Sequence, residues 1–137
     1  MDQTVIDKIK ASFARQSYMT TLGAALDHIE KGSVSIRAPM SDHILQQHGF
    51  AHAGVAFSMG DSAAGYAALT LMPAEAEVLT TEMKINLLAP ASGDVIIAKG
   101  RVIKAGRRLT IVGADVFAMT GDQEKHIAIL QGTMISS

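Results

Sequence analysis

The segment 54–72 carries one charged side chain, Asp61, among alanines, glycines and larger apolar residues, and this composition limits what the chain can fold into. Small residues occur on every side of a helix drawn through it, and Pro73 follows as a stop signal. A helix that is apolar round its whole circumference is a buried helix. The sequence therefore predicts a buried central helix over residues 53–72, with a lone carboxylate near its middle.

A membrane span is the competing interpretation of this segment, since about twenty residues are enough to cross a bilayer. Asp61 near the centre would cost roughly 2.5–3.5 kcal/mol on insertion scales, and alanine-rich flanks offset little of that. The N-terminus MDQTVIDKIK lacks the apolar run of a secretory signal, and the chain has no cysteine. We therefore expect a cytoplasmic protein with this helix in its core.

Apolar spacing predicts the elements before the central helix. Apolar residues recur every four positions in segment 2–15, which indicates a short amphipathic helix. Apolar and polar residues alternate in segment 33–37 after a turn at Lys31 and Gly32, which indicates a hairpin. The polar, glycine-containing run SDHILQQHGFAHAG is predicted to be a loop.

Four strands are predicted after Pro73. Apolar residues occupy one parity from Leu79 to Leu87 and polar residues the other, which is typical of a half-buried antiparallel strand. Further strands are expected in three segments separated by short turns: 94–105, 107–119 and 125–136.

The predicted order is one helix, two strands, a long helix and four strands, an α+β fold in a single domain over residues 1–137. Long strands joined by tight turns curve as they twist, and only the central helix is apolar enough to fill the concave side. The net charge of -1, from 12 basic and 13 acidic residues, offers no electrostatic footprint for nucleic acid.

Asp61 and the start of the central helix are the candidate functional residues. A carboxylate at the edge of an apolar cavity can act as general base or nucleophile, and the free N–H groups of Ala53 and Gly54 can hold a developing oxyanion. Nine residues separate His52 from Asp61, about 13 Å of helical rise, so the two point to opposite sides. Two antiparallel copies of the helix would bring each acid to the other's N-terminus, which predicts a symmetric dimer with composite sites.

The segment QQHGFAHAGVAFSMGDSAAGYA resembles the signature of the hotdog-fold acyl-CoA thioesterases of the phenylacetate-degradation (PaaI-like) type. That signature has an Asn, a His-Gly-Gly run and a downstream Asp, and here His52, Gly54 and Asp61 match it. The strand TTEMKINLLAPA and the predicted element order extend the resemblance to nearly the whole chain. Two positions differ, because Ala53 replaces the first glycine and Gln46 aligns with the Asn.

The resemblance implies a hotdog fold and an enzyme that hydrolyses a small or medium acyl- or aryl-CoA thioester to free acid and CoA. By that similarity Asp61 would be general base or nucleophile, and the Ala53 and Gly54 amides would form the oxyanion hole. Thr80 would stand where a Ser or Thr helps to place water. No cofactor is implied, since coenzyme A is part of the substrate.

Other polar residues have two interpretations each. Gln46 and Gln47 either assist catalysis or satisfy backbone groups of the loop. His52 is either a hydrogen-bonded orienting residue or a catalyst. Arg107 and Arg108 follow a predicted turn and either pair with the phosphates of coenzyme A or are simply solvated.

Alternative functions follow from the same residues. A non-catalytic acyl-CoA or small-ligand binding protein is one, because Ala53 replaces a glycine of the signature and Gln46 replaces its Asn. A hotdog dehydratase with His52 as acid–base group is another. Asp61 itself is either the reacting acid or a structural acid that accepts hydrogen bonds from backbone N–H groups. A metal site at His43, His48 and His52 is not expected, because Gly49 interrupts any shared helical face and cysteine is absent. The expected partners are a small-molecule substrate and a second copy of the chain, in a homodimer or a homotetramer built as a dimer of dimers, with neither nucleic acid nor membrane.

Overall fold

The computed structural model describes residues 1–137 as a six-stranded antiparallel sheet wrapped round one long helix. The strand order is β1-β2-β4-β5-β6-β3, so β1 and β3 form the two edges. The predicted α+β hotdog fold is confirmed. The elements are α1 (Gln3–Ala14), α2 (Ser17–Leu22), β1 (Ala25–Glu30), β2 (Ser33–Pro39), α3 (Ala53–Leu69), β3 (Val78–Leu87), β4 (Val95–Ala105), β5 (Leu109–Thr120) and β6 (Gln123–Ser136).

Helix α3 fills the concave side of the sheet because its small residues allow a close approach. Ala63 and Ala64 are fully buried, and Gly100 of β4 lies so close that a Cβ there would come within 2.3 Å of the Ala63 carbonyl carbon. The helix ends at Leu69, three residues earlier than predicted. None of the helices combines the length and the hydropathy that a membrane span needs.

The elements before α3 agree with the apolar spacing, with one addition. Helix α1 begins after Asp2, whose Oδ1 accepts a hydrogen bond from the Thr4 N–H at 2.9 Å. The β1–β2 hairpin turns at Gly32, where φ is +80° and a residue without a Cβ is favoured. Helix α2 was not predicted, because one and a half turns leave too few residues for a periodic signal.

Strand β3 differs from the expected alternation. Leu79 was expected to be buried and is 62% exposed, because a bulge between Thr80 and Glu82 shifts the register against β6. Before the bulge the even-numbered residues face α3, and after it the odd-numbered ones do, as Met83 shows by packing against the core. Leu87 is 60% exposed because β3 is an edge strand with an open cavity at its end.

Candidate active site

Asp61 lies half-buried in the middle of α3 and is paired with a hydroxyl from β3. Thr80 donates a hydrogen bond from Oγ1 to Asp61 Oδ1 at 2.7 Å, and the same hydroxyl lies 3.2 Å from the sulfur of Met134. The bulge in β3 makes this contact possible, since it turns Thr80 toward the helix. A cavity of about 220 Å³, called here the Asp61 cavity, opens beside the pair.

A second and larger cavity, of about 620 Å³, opens at the first turn of α3. We call it the helix-start cavity, and ten of its fourteen lining residues are hydrophobic, which suits an organic ligand. Backbone bonds fix the loop that forms its wall. The Ala51 N–H donates to the Ala91 carbonyl at 2.9 Å, and the His52 N–H donates to the Ile44 carbonyl at 2.8 Å.

The two amides expected to form an oxyanion hole differ in availability. Ala53 is the first residue of α3, and its N–H makes no hydrogen bond within the chain. The Gly54 N–H donates to Nδ1 of His52 at 2.8 Å, so that histidine is the N-cap of the helix. Ala53 therefore offers the open donor at the positive end of the helix dipole, and Gly54 offers one only when His52 turns away.

The two glutamines also differ. Gln46 holds the loop together, since its Oε1 accepts hydrogen bonds from the backbone N–H groups of His48 and Phe50. The backbone N–H of Gln46 donates a hydrogen bond to the Phe50 carbonyl at 2.7 Å. Gln47 lines the helix-start cavity, and its side chain makes no hydrogen bond within the chain. Of the two, Gln47 is the side chain with its whole hydrogen-bonding capacity available to a ligand.

Arg107 and Arg108 lie exposed on the turn between β4 and β5, where neither makes an ion pair. The Ser136 N–H donates to the Arg108 carbonyl at 3.1 Å, which places this turn at the Thr80 end of the sheet. The helix-start cavity of the same chain lies at Ile96, the opposite end of β4, roughly 30 Å away along the strand.

The candidate residues of one chain therefore lie in two separate cavities. Asp61 and Thr80 share one cavity, whereas Ala53, Gln47 and His52 line the other. No group of three His, Cys, Asp or Glu side chains converges to form a metal site.

The polar side chains of Ser12, Gln16 and Tyr66 line the far end of the Asp61 cavity and were not predicted to belong to the site. Helical periodicity sorts residues into buried and exposed, and it does not show that a segment distant in sequence covers a site.

An antiparallel sheet wrapped round one long central helix defines a hotdog-fold protein. In this chain the helix carries one acid at its middle and one open amide at its start. Residues 48–125 match the family model of the thioesterase superfamily, and the chain belongs to that superfamily. It is accordingly a thioester hydrolase.

Three relatives illustrate how far the likeness extends. A thioesterase family protein from Silicibacter pomeroyi is 42% identical, with 96% of this chain and 97% of that chain covered and a TM-score of 0.94. A protein from Saccharolobus solfataricus that is named as a candidate esterase is 29% identical over 117 residues, 85% of this chain and 76% of that protein. The PaaI protein from the phenylacetic acid degradation operon of Escherichia coli is 19% identical, with coverage of 98% and 94% and a TM-score of 0.87, a likeness in fold alone.

Proposed function

We propose that the protein hydrolyses an acyl-CoA thioester at sites shared between two chains of a homodimer. The observation that carries this proposal is the separation of the candidate residues, with Asp61 in one cavity and the open Ala53 amide in another. Acyl transfer needs both an acid–base group or nucleophile and an oxyanion donor at the same carbonyl. A second copy of the chain supplies the missing half to each.

The exposed edge of β3 is the surface that would join the two chains. Only β6 pairs with it, so the other edge of a ten-residue strand is free. Leu79, Leu87 and Leu88 are 51–62% exposed along it, and burying them would stabilise a dimer. Antiparallel pairing of two β3 edges about a two-fold axis would place the two α3 helices antiparallel. Asp61 of each chain would then face the start of α3 in the other chain.

The reaction follows from these positions. The thioester oxygen accepts a hydrogen bond from the Ala53 amide, while Asp61 of the other chain faces the carbonyl carbon and either takes a proton from water or attacks directly. Thr80 holds one carboxylate oxygen, which leaves the other free to react. With Asp61 as base, the water oxygen bonds to the carbonyl carbon, the C–S bond breaks, and the proton held by the Asp61 carboxyl passes to the CoA thiolate, which leaves as a thiol. With Asp61 as nucleophile, the C–S bond breaks as the acyl group bonds to the carboxylate oxygen, the thiolate takes a proton from solvent, and water then hydrolyses the mixed anhydride to the free acid. Gln47 lies beside the carbonyl.

The surface of the protein offers two cationic side chains that match the phosphates of coenzyme A. The phosphates of CoA carry negative charge, and Arg107 and Arg108 are free guanidinium groups at the Asp61 end of the sheet. In the antiparallel dimer that end adjoins the partner's helix start. We therefore assign the phosphate contacts to this turn.

Two substitutions test the two halves separately. Asp61→Asn keeps the shape and removes the charge, and we expect a loss of at least about 100-fold in thiol release from a panel of aliphatic and aryl CoA esters. Ala53→Pro removes the open N–H at a position where proline suits a helix and puts the ring Cδ in its place, and we expect a loss of about 100- to 1000-fold. Ala53→Gly keeps the N–H and serves as the control, with a rate near that of wild type.

Mixed dimers then decide whether the site is shared. Asp61→Asn and Ala53→Pro chains that are unfolded together and refolded pair at random, and half of the dimers carry one of each. In such a dimer one site is intact and the other has both defects, so activity should return to about one quarter of wild type. If mixing restores nothing although mixed dimers form, the shared site is refuted. Binding of intact acyl-CoA without thiol release by wild type would refute the enzyme and favour a binding protein.

A further inference from the structure

The Asp61 cavity continues past the acid to a polar end that the proposed reaction does not use. Tyr66 lies five residues after Asp61 on α3 and is 6% exposed. Its hydroxyl lies 2.9 Å from Ser12 Oγ and accepts a hydrogen bond from Gln16 Nε2 at 2.8 Å. Ser12 belongs to the last turn of α1, and Gln16 follows that helix. The N-terminal segment thus closes a cavity whose reactive group lies on the central helix.

This polar wall is held in place. Ile9 of α1 is fully buried, and Lys8 Nζ donates a hydrogen bond to the Ala74 carbonyl at 2.7 Å. The ring of Phe13 packs against the ring of Tyr66, with centroids 6.3 Å apart. A ligand in the cavity therefore meets a fixed surface and not a frayed terminus.

Gln16 has hydrogen-bonding capacity to spare. It is the N-cap residue of α2, yet its side chain makes no capping bond there and turns toward Tyr66 instead. That bond uses one of its two N–H donors. The second N–H and the carbonyl oxygen Oε1 have no partner in the chain and lie at the cavity wall. A ligand group that reaches this wall finds both a donor and an acceptor.

The dimensions of the cavity suit a small group that reaches that wall. A cavity of about 150 Å³ is enough for a benzene ring, and the Asp61 cavity has about 220 Å³. Between Asp61 and Tyr66 the helix rises about 7.5 Å, which an acyl chain of about six atoms spans. A compact acyl group of this length that enters the cavity from Asp61 therefore reaches Gln16 with its far end.

We propose that Gln16 is a specificity-determining residue that selects compact acyl groups with a hydrogen-bonding group about six atoms beyond the thioester carbonyl. This inference rests on the proposed hydrolysis at Asp61. An alkyl end of the same length strips water from the Gln16 amide and gives no hydrogen bond in return, so it is disfavoured.

A matched pair of substrates tests it. ω-Hydroxyhexanoyl-CoA and heptanoyl-CoA differ only by a terminal hydroxyl in place of a methyl group. We expect kcat/KM of the wild type to favour the hydroxyl ester by about tenfold, the net contribution of one hydrogen bond. Gln16→Met keeps the length and removes both polar groups, and the ratio should fall to about one. Gln3→Met, the same change on the exposed face of α1, should leave the ratio unchanged.

The outcomes separate this inference from the function beneath it. Equal rates for the two esters with wild type, or a ratio unmoved in a folded Gln16→Met variant, overturn the role of Gln16 and leave the thioesterase standing. If the wild type hydrolyses other esters but neither member of this pair, the role of Gln16 is overturned and the thioesterase activity stands. Thiol release from no ester at all overturns both. If Gln16→Met fails to fold, Gln16→Ala takes its place, because it removes the same polar groups with a smaller side chain. The ratio of kcat/KM for the two esters with wild type is also a test by itself.

Discussion

Gly100 is the position where one added methyl group would do most to separate the sheet from the central helix. A Cβ at Gly100 would lie 2.3 Å from the carbonyl carbon of Ala63 and 2.5 Å from the backbone nitrogen of Ala64. Ordinary contacts of a Cβ are 3.4–4 Å long, so the helix and the strand would have to part by about 1 Å. The obstructing atoms are backbone atoms, and no change of rotamer relieves them.

The magnitude follows from that displacement. Overpacking a dense interior typically costs 1–3 kcal/mol, and a clash with backbone belongs at the upper end, so Gly100→Ala should lower the free energy of unfolding by about 3 kcal/mol. Activity should suffer more than stability suggests. Asp61 lies two residues before Ala63 on the same rigid helix, and a shift of about 1 Å in a reacting group can reduce the rate about 100-fold.

Urea unfolding at one fixed protein concentration measures the first effect, because the stability of the proposed dimer would depend on concentration. Thiol release from folded protein measures the second. Gly65→Ala is the stability control, since it replaces a glycine within a helix and its added Cβ meets only Met134, with the methyl carbon at 3.7 Å and the sulfur at 3.9 Å, both ordinary contacts. It should be neutral or stabilising by up to about 1 kcal/mol. A Gly100→Ala variant as stable as wild type would refute the close contact between α3 and β4.

Two further predictions concern the site itself. Thr80→Val removes the hydrogen bond to Asp61 at nearly constant volume, and kcat should fall about tenfold with KM little changed, measured by steady-state thiol release. An unchanged kcat would remove Thr80 from the mechanism. Replacing Arg107 and Arg108 together by Gln should raise KM for acyl-CoA several-fold, less so in high salt, and leave hydrolysis of an acyl thioester without a nucleotide unchanged. Equal effects on both esters would place the role of the arginines elsewhere.

Much of the architecture could be read from local patterns. Apolar residues round the full circumference of segment 53–72 identified α3, because burial on all sides requires that composition. The turn-like residues that separate segments 94–105, 107–119 and 125–136 identified three strands at nearly their observed bounds. The lone charge at Asp61 marked the candidate site, since burying a carboxylate in an apolar helix is costly unless the group is paired or has a function.

The sequence by itself thus determined every helix and strand except α2, and the residues that match the thioesterase signature. Tertiary structure alone decided that a bulge turns Thr80 toward Asp61 and that the Gly54 N–H donates a hydrogen bond to His52. It also decided that Gln16 lines the far end of the Asp61 cavity. The physical reason is the range of the interactions. Periodicity records which side of one element meets the core, whereas a register shift or a covering segment depends on groups that are distant along the chain.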